Sequence, residues 1–132
     1  MSFPILLETA RKLLLSPLVL NVEFLGTKVR AHLPSGYTLD IYYNATRQKY
    51  SYTIAKHDKR VIGWDNAPHH KHLTSYPHHF HTQDGKVTQS KMKGNPTEDV
   101  TTILRETKKK LNLRKSAVVL LILIVLITDL LK

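Results

Sequence analysis

Apolar residues recur at helical spacing over residues 2–15: Leu6, Leu7, Ala10, Leu13 and Leu14, with Glu8, Arg11 and Lys12 between them. Ser2 is placed to cap this helix, Pro4 is tolerated in its first turn, and Ser16-Pro17 stops it. From Leu18 the period falls to two. Leu18, Leu20, Val22 and Phe24 alternate with Val19, Asn21, Glu23 and Leu25, and Gly26-Thr27 turns the chain. Val29, Ala31 and Leu33, then Leu39, Ile41 and Tyr43, then Tyr50, Tyr52 and Ile54 repeat the alternation, and Arg60-Val61-Ile62-Gly63-Trp64 follows a loop around His57-Asp58-Lys59. Alternation broken by turns about every ten residues predicts a four- to five-stranded antiparallel meander. One face is apolar and suits the N-terminal helix. The other carries Lys28, Arg30, His32, Asp40, Tyr42, Lys49 and Ser51, and is polar and mainly basic.

The periodicity stops at Trp64. Residues 64–81 hold two prolines and two histidine pairs and are expected as a His-rich loop, followed by a polar, mobile stretch over 82–94. Asn95-Pro96-Thr97-Glu98 then combines a capping Asn, Pro at the first helical position and Glu three residues after the cap. Val100, Ile103, Leu104 and Leu111 continue an apolar stripe, with Glu98 and Asp99 at its start and Lys108, Lys109, Lys110, Arg114 and Lys115 at its end, an order that suits the helix dipole. Residues 116–132 form an apolar C-terminal segment, with no polar residue from Ala117 to Ile127. It is short against the roughly 20 apolar residues of a spanning helix. A membrane anchor with its basic flank on the cytoplasmic side, a helix packed on the body or a partner, and an apolar strand all remain open. The expected class is α+β: a short N-terminal helix, the meander, the His-rich loop and a C-terminal helix with its apolar tail. Residues 1–115 are read as a single domain.

A chain of 132 residues fits that organisation. Twenty Lys and Arg against ten Asp and Glu give a formal charge of +10, which favours phosphate-rich partners, RNA or anionic lipid. Cysteine is absent, so disulfides and thiolate metal sites are excluded. Met1-Ser2-Phe3-Pro4-Ile5 lacks a basic n-region, so no signal peptide is expected and the cytoplasm is the expected compartment, with membrane attachment only through 116–132.

The chemistry concentrates in 64–81, which holds six of the eight histidines. One histidine in a loop is most simply bonded to backbone carbonyls. Six beside an Asp-Asn pair point to shared use. RNA cleavage without metal needs a base for the 2′-hydroxyl, an acid for the leaving oxygen and cations for the phosphorane. His69, His70, His79 and His81 are the candidates for proton transfer. Arg30 and Lys49 would bind phosphate, Tyr52 would stack on a base, and Asp65 and Asn66 would orient the histidines. This route needs no cofactor. A divalent metal is the rival, with His69-x-x-His72 and His79-x-His81 as nitrogen ligands and Asp65 adding an oxygen. Simpler readings exist for parts of the set. Asp65-Asn66-Ala67-Pro68 is a good turn, and Trp64, Tyr50 and Tyr52 sit at core positions of the alternation.

Tyr50-Ser51-Tyr52, Trp64-Asp65-Asn66-Ala67-Pro68-His69-His70 and Tyr76-Pro77-His78-His79-Phe80-His81 together resemble the TumE-type family, toxin components of two-gene prokaryotic toxin–antitoxin systems. The layout is similar over about residues 18–113. The chain departs from the family pattern in the extra His72 and the apolar extension. The resemblance implies growth inhibition neutralised by a cognate antitoxin, expected to be a small DNA-binding protein; joined to the basic sheet face and the histidine cluster, it makes RNA or the ribosome the expected target. The order of helix then meander is similar to small ribonuclease toxins of the RelE and barnase-like kind, an analogy of fold and not of activity. A metal-binding hydrolase and a non-enzymatic, membrane-associated interaction protein are the alternatives.

Overall fold

The computed structural model describes the backbone of residues 1–114 and 117–132, and the side chains of all these except 117–120. The chain is α+β. Helix α1 (Ser2–Leu14) is followed by β1 (Asn21–Phe24), β2 (Lys28–His32), β3 (Tyr37–Asn44), β4 (Lys49–Lys56), β5 (Lys59–Asp65), β6 (His79–His81) and β7 (Val87–Gln89), then α2 (Pro96–Lys110) and α3 (Ala117–Leu130). The seven strands form one antiparallel sheet in sequence order.

The meander is longer than the four to five strands the alternation predicts. The two additional strands are three residues each. His79-Phe80-His81 has one apolar residue and reads as loop, yet it pairs with β5. Val87–Gln89 falls in the stretch expected to be mobile, and instead closes the sheet against β6.

Alternation divides the sheet into two faces. Val29, Ala31, Leu39, Ile41, Tyr52, Ile54, Ile62, Trp64 and Phe80 are buried on one face in a common core with Leu6, Ala10 and Leu13 of α1 and Val100 and Ile103 of α2. Leu7 and Leu14, counted in the α1 stripe, are exposed. Ser2 does not cap α1. It lies inside the helix, and its Oγ accepts the Ala45 amide at 2.9 Å. Asn95 does cap α2, accepting from the Thr97 amide at 3.0 Å, with Pro96 following.

Tyr52 is fully buried, and its hydroxyl donates to Asp99 Oδ2 at 2.7 Å. Asp99 also accepts the Lys93 and Gly94 amides, each at 2.9 Å, so one buried carboxylate ties α2 to the preceding turn and to β4. This corrects the expectation that Tyr52 stacks on a base: its ring lies in the core at 4.6 Å from the Tyr50 ring.

The tail is helical. Fourteen residues at about 1.5 Å rise give about 21 Å, against about 30 Å for a bilayer core. Among the described residues no helix is long and apolar enough to cross a membrane, so the spanning reading is not supported, and the strand reading is excluded by the helix. Leu121 to Ile127 are all exposed.

Candidate functional site

The second sheet face is polar, and the register lays its side chains in rows. Arg30 lies opposite Asp40, Asp40 opposite Thr53, Thr53 opposite Gly63, and Gly63 opposite His81. The neighbouring row runs Lys28, Tyr42, Ser51, Asp65, His79. By alternation Lys49 falls on the same face, exposed at the start of β4.

At the near end, Lys28 Nζ and two of the three guanidinium nitrogens of Arg30, Nε and Nη2, bond Asp40 at 2.7–3.0 Å. Burial pushes the Asp40 pKa up, but the bonds and charges of Arg30 and Lys28 more than offset it and hold the carboxyl below its ordinary value. Arg30 thus directs two of its nitrogens to Asp40, which lessens its reach for phosphate, while Lys28, Arg30 and Asp40 together keep a net positive charge.

At the far end three groups converge. His79 Nε2 lies 2.9 Å from Asp65 Oδ1, His81 Nε2 lies 3.0 Å from Asp65 Oδ2, and the two Nε2 atoms are 3.1 Å apart. His79 is 1% exposed, and its other nitrogen, Nδ1, faces the Pro77 carbonyl at 3.2 Å. Asp65 Oδ1 also accepts the Ala67 amide at 2.9 Å, the turn expected of Asp-Asn-Ala-Pro. Asn66 does not touch a histidine. Its side chain accepts from the Tyr50 amide and donates to the Gln48 carbonyl, pinning the 66–78 connection to β4.

That connection brings the His70 ring over the cluster, 4.6 Å from the His79 ring and 6.4 Å from the His81 ring by centroid. His69 and His72 are exposed and reach only His70, at 6.5 and 6.2 Å. Of the predicted metal ligands, His79 and His81 therefore come together with Asp65, while His69 and His72 lie outside. Burial lowers the pKa of His70, as does the nearby His79. Burial also lowers that of His81, as does the Arg60 charge, against the opposing pull of Asp65.

Arg60 is a residue that sequence reasoning misses. Strict alternation from Ile62 places it on the core side. A shift of register between Ile54 and Ala55 instead pairs Arg60 with Ala55, and such a bulge re-aims the side chain. The two-residue turn at His57 and Asp58, both at positive φ, sets the hairpin up. A Cβ built on Gly63 would lie 3.4 Å from Arg60 Cδ, so the arginine runs across the bare Gly63 backbone toward His81. Among the described residues it makes no ion pair. The one sequence signal was a glycine inside a strand, a mark of a bulge or a close approach.

His78 was not among the candidates either. Its Nδ1 lies 2.8 Å from the Tyr50 hydroxyl, and the two rings stack at 5.7 Å, which fixes the chain entering β6. A cleft of about 270 Å³ lined by Trp64, Phe80, Met92 and Lys110 opens on the opposite, helix-bearing face and has no part in the cluster.

The arrangement offers nitrogen and oxygen lone pairs, two histidines able to move protons, and a guanidinium with no ion-pair partner among the described residues, all on an open sheet face. No curated protein and no solved structure matches the chain. A family model described as Toxin TumE matches residues 9–111, a span that contains the whole sheet and α2. The chain thus belongs to the TumE toxin family, and is the toxin component of a toxin–antitoxin system with a cognate antitoxin as its partner.

Proposed function

We propose that this toxin inhibits growth by cutting RNA on the polar sheet face, and that its antitoxin is a small DNA-binding protein. The observation that carries the first reading is the grouping of Arg60, His81, Asp65, His79 and His70 at one end of a face that also bears Lys28, Lys49, Ser51 and Thr53. Arg60 binds the scissile phosphate and meets the charge of the phosphorane. His81, held by Asp65, takes the 2′-hydroxyl proton, and His70 returns a proton to the leaving oxygen. Two rings 6.4 Å apart can serve opposite sides of one phosphorus, whereas Nε2 atoms 3.1 Å apart can share only one proton. His79 is accordingly a positioning residue. Lys49 tracks the backbone of the strand further along the face. The apolar, exposed α3 is the part of the chain suited to a membrane surface or to the antitoxin.

The test is induction of the full chain in a host, with RNA integrity followed over time. The parent is expected to fragment RNA, and Arg60→Ala and His81→Ala to abolish both fragmentation and growth arrest at unchanged melting temperature. An oligoribonucleotide carrying a single 2′-deoxy sugar at the cut position should resist the purified toxin, because the nucleophile is gone. Growth arrest with intact RNA, or arrest indifferent to His81→Ala, overturns the proposal.

A further inference from the structure

We infer that Asp65, His79 and His81 form a binding site for a divalent transition-metal ion of the Zn²⁺ type. The inference stands on the positions of three ligand atoms and does not depend on RNA being the substrate.

Proton counting comes first. The Pro77 carbonyl can only accept, so the ring nitrogen facing it, His79 Nδ1, carries a hydrogen. In the neutral ring His79 Nε2 is then a bare lone pair. It is aimed at Asp65 Oδ1, 2.9 Å away, and at His81 Nε2, 3.1 Å away. The carboxylate oxygens also only accept. His81 Nε2 has at most one hydrogen to offer, to Asp65 or to His79. Three contacts of 2.9–3.1 Å therefore join electron-rich atoms with too few hydrogens between them. One additional proton on His79 satisfies a single contact. A cation at the centre satisfies all three.

The geometry suits that cation. Bonds of about 2.0–2.2 Å to nitrogen and oxygen put neighbouring ligands of a tetrahedral ion about 3.3 Å apart, so the three atoms need to spread by only a few tenths of an ångström. Two imidazoles and one carboxylate are donors of intermediate softness, which favours Zn²⁺ and its neighbours over Mg²⁺ or Ca²⁺. The outer contacts are those of a held ligand set. The Pro77 carbonyl fixes the His79 tautomer, and the Ala67 amide anchors Asp65. The ligands come from two paired strands, with Asp65 directly opposite His79 and His81 two residues on, so the site rests on sheet register and not on a loop. Three protein ligands leave a position open, as in catalytic zinc sites. An ion bound here occupies the His81 nitrogen that faces Asp65.

The experiment is calorimetric titration of the chelator-treated full chain with ZnCl₂, without RNA. One ion per chain is expected, with Asp65→Asn and His81→Gln each weakening binding at least 100-fold and His69→Ala/His72→Ala leaving it unchanged. Co²⁺ absorption of the parent chain is the second measurement, should the variants fail to fold: intense visible bands of a four-coordinate nitrogen–oxygen site are expected, displaced by one equivalent of Zn²⁺. Absence of stoichiometric binding, binding lost with His69 and His72 but retained in His81→Gln, or a Co²⁺ spectrum of the hexaaqua ion overturns the inference.

Discussion

Replacing Tyr52 by Phe removes one oxygen atom and keeps the ring. That oxygen donates at 2.7 Å to the buried Asp99 carboxylate, which among the described residues otherwise keeps the Lys93 and Gly94 amides. Burial, reinforced by the Asp99 charge, pushes the Tyr52 pKa far above that of a free phenol, so the donor stays protonated across the working pH range. A hydrogen bond to a charged group contributes about 1.5–3 kcal/mol, and its loss leaves part of a buried charge without a partner. With a loss of about 2 kcal/mol and a urea slope of about 1.5 kcal/mol/M, the unfolding midpoint should fall by about 1.3 M at unchanged slope. Asp99→Asn should cost at least as much, because an amide turns an N–H toward one of its present donors. The double variant should cost less than the two single losses added together, since both remove the same bond. A Tyr52→Phe midpoint within about 0.2 M of the parent would refute the account of Asp99 as the clamp between α2 and β4. The same variant separates core from site: Phe stacks on a base as well as Tyr does, so loss of stability without a specific loss of activity assigns the residue to the core.

Gly63→Ala places a Cβ 3.0 Å from the Tyr52 carbonyl oxygen and 3.4 Å from Arg60 Cδ, and should lower stability by about 1–3 kcal/mol while weakening growth inhibition; a parent-like urea midpoint would show that the strand has room there. Asp40 has a depressed pKa, so its contribution is fully present above the unfolded-chain value of about 3.9 and is lost as pH falls through the lower folded value. Melting temperatures of Asp40→Asn should accordingly fall less steeply than those of the parent below that pH, and parallel curves would contradict the ion-pair account. Deletion of residues 116–132 should leave growth arrest intact, measured by colony formation on induction, because the His–Asp cluster and the core lie within 1–114; a harmless truncation of normal stability would move the activity into the tail.

Helix α1 and strands β1 to β5 were legible because each carries several residues of one period, and an apolar face that must be buried declares itself in the sequence. β6 was not, since His79-Phe80-His81 has a single apolar position and its pairing is set by β5 and by the connection before it. The histidine cluster was half legible. His79-x-His81 put two rings on one side of the chain and Asp65 stood out as the carboxylate to orient them, but that these three converge while His69 and His72 do not depends on the β5–β6 register, which no local pattern encodes. Proximity in sequence misled at His69 and His72, where the connection turns outward. Arg60 was hidden because a bulge breaks the parity on which strand reading depends. For Tyr52 the apolar alternation pointed correctly to the core.

In this sheet every strand pairs with its neighbour in the chain, so most of it can zip up hairpin by hairpin with little loop-closure entropy at each step. The β5–β6 junction differs. Asp65 lies just before the 66–78 connection, and His79 and His81 lie just after it. Docking β6 is therefore a folding event and the assembly of the His–Asp cluster in one step. On the ribosome β1 to β5 are synthesised before β6, so the His–Asp cluster cannot close until residue 81 has cleared the exit tunnel.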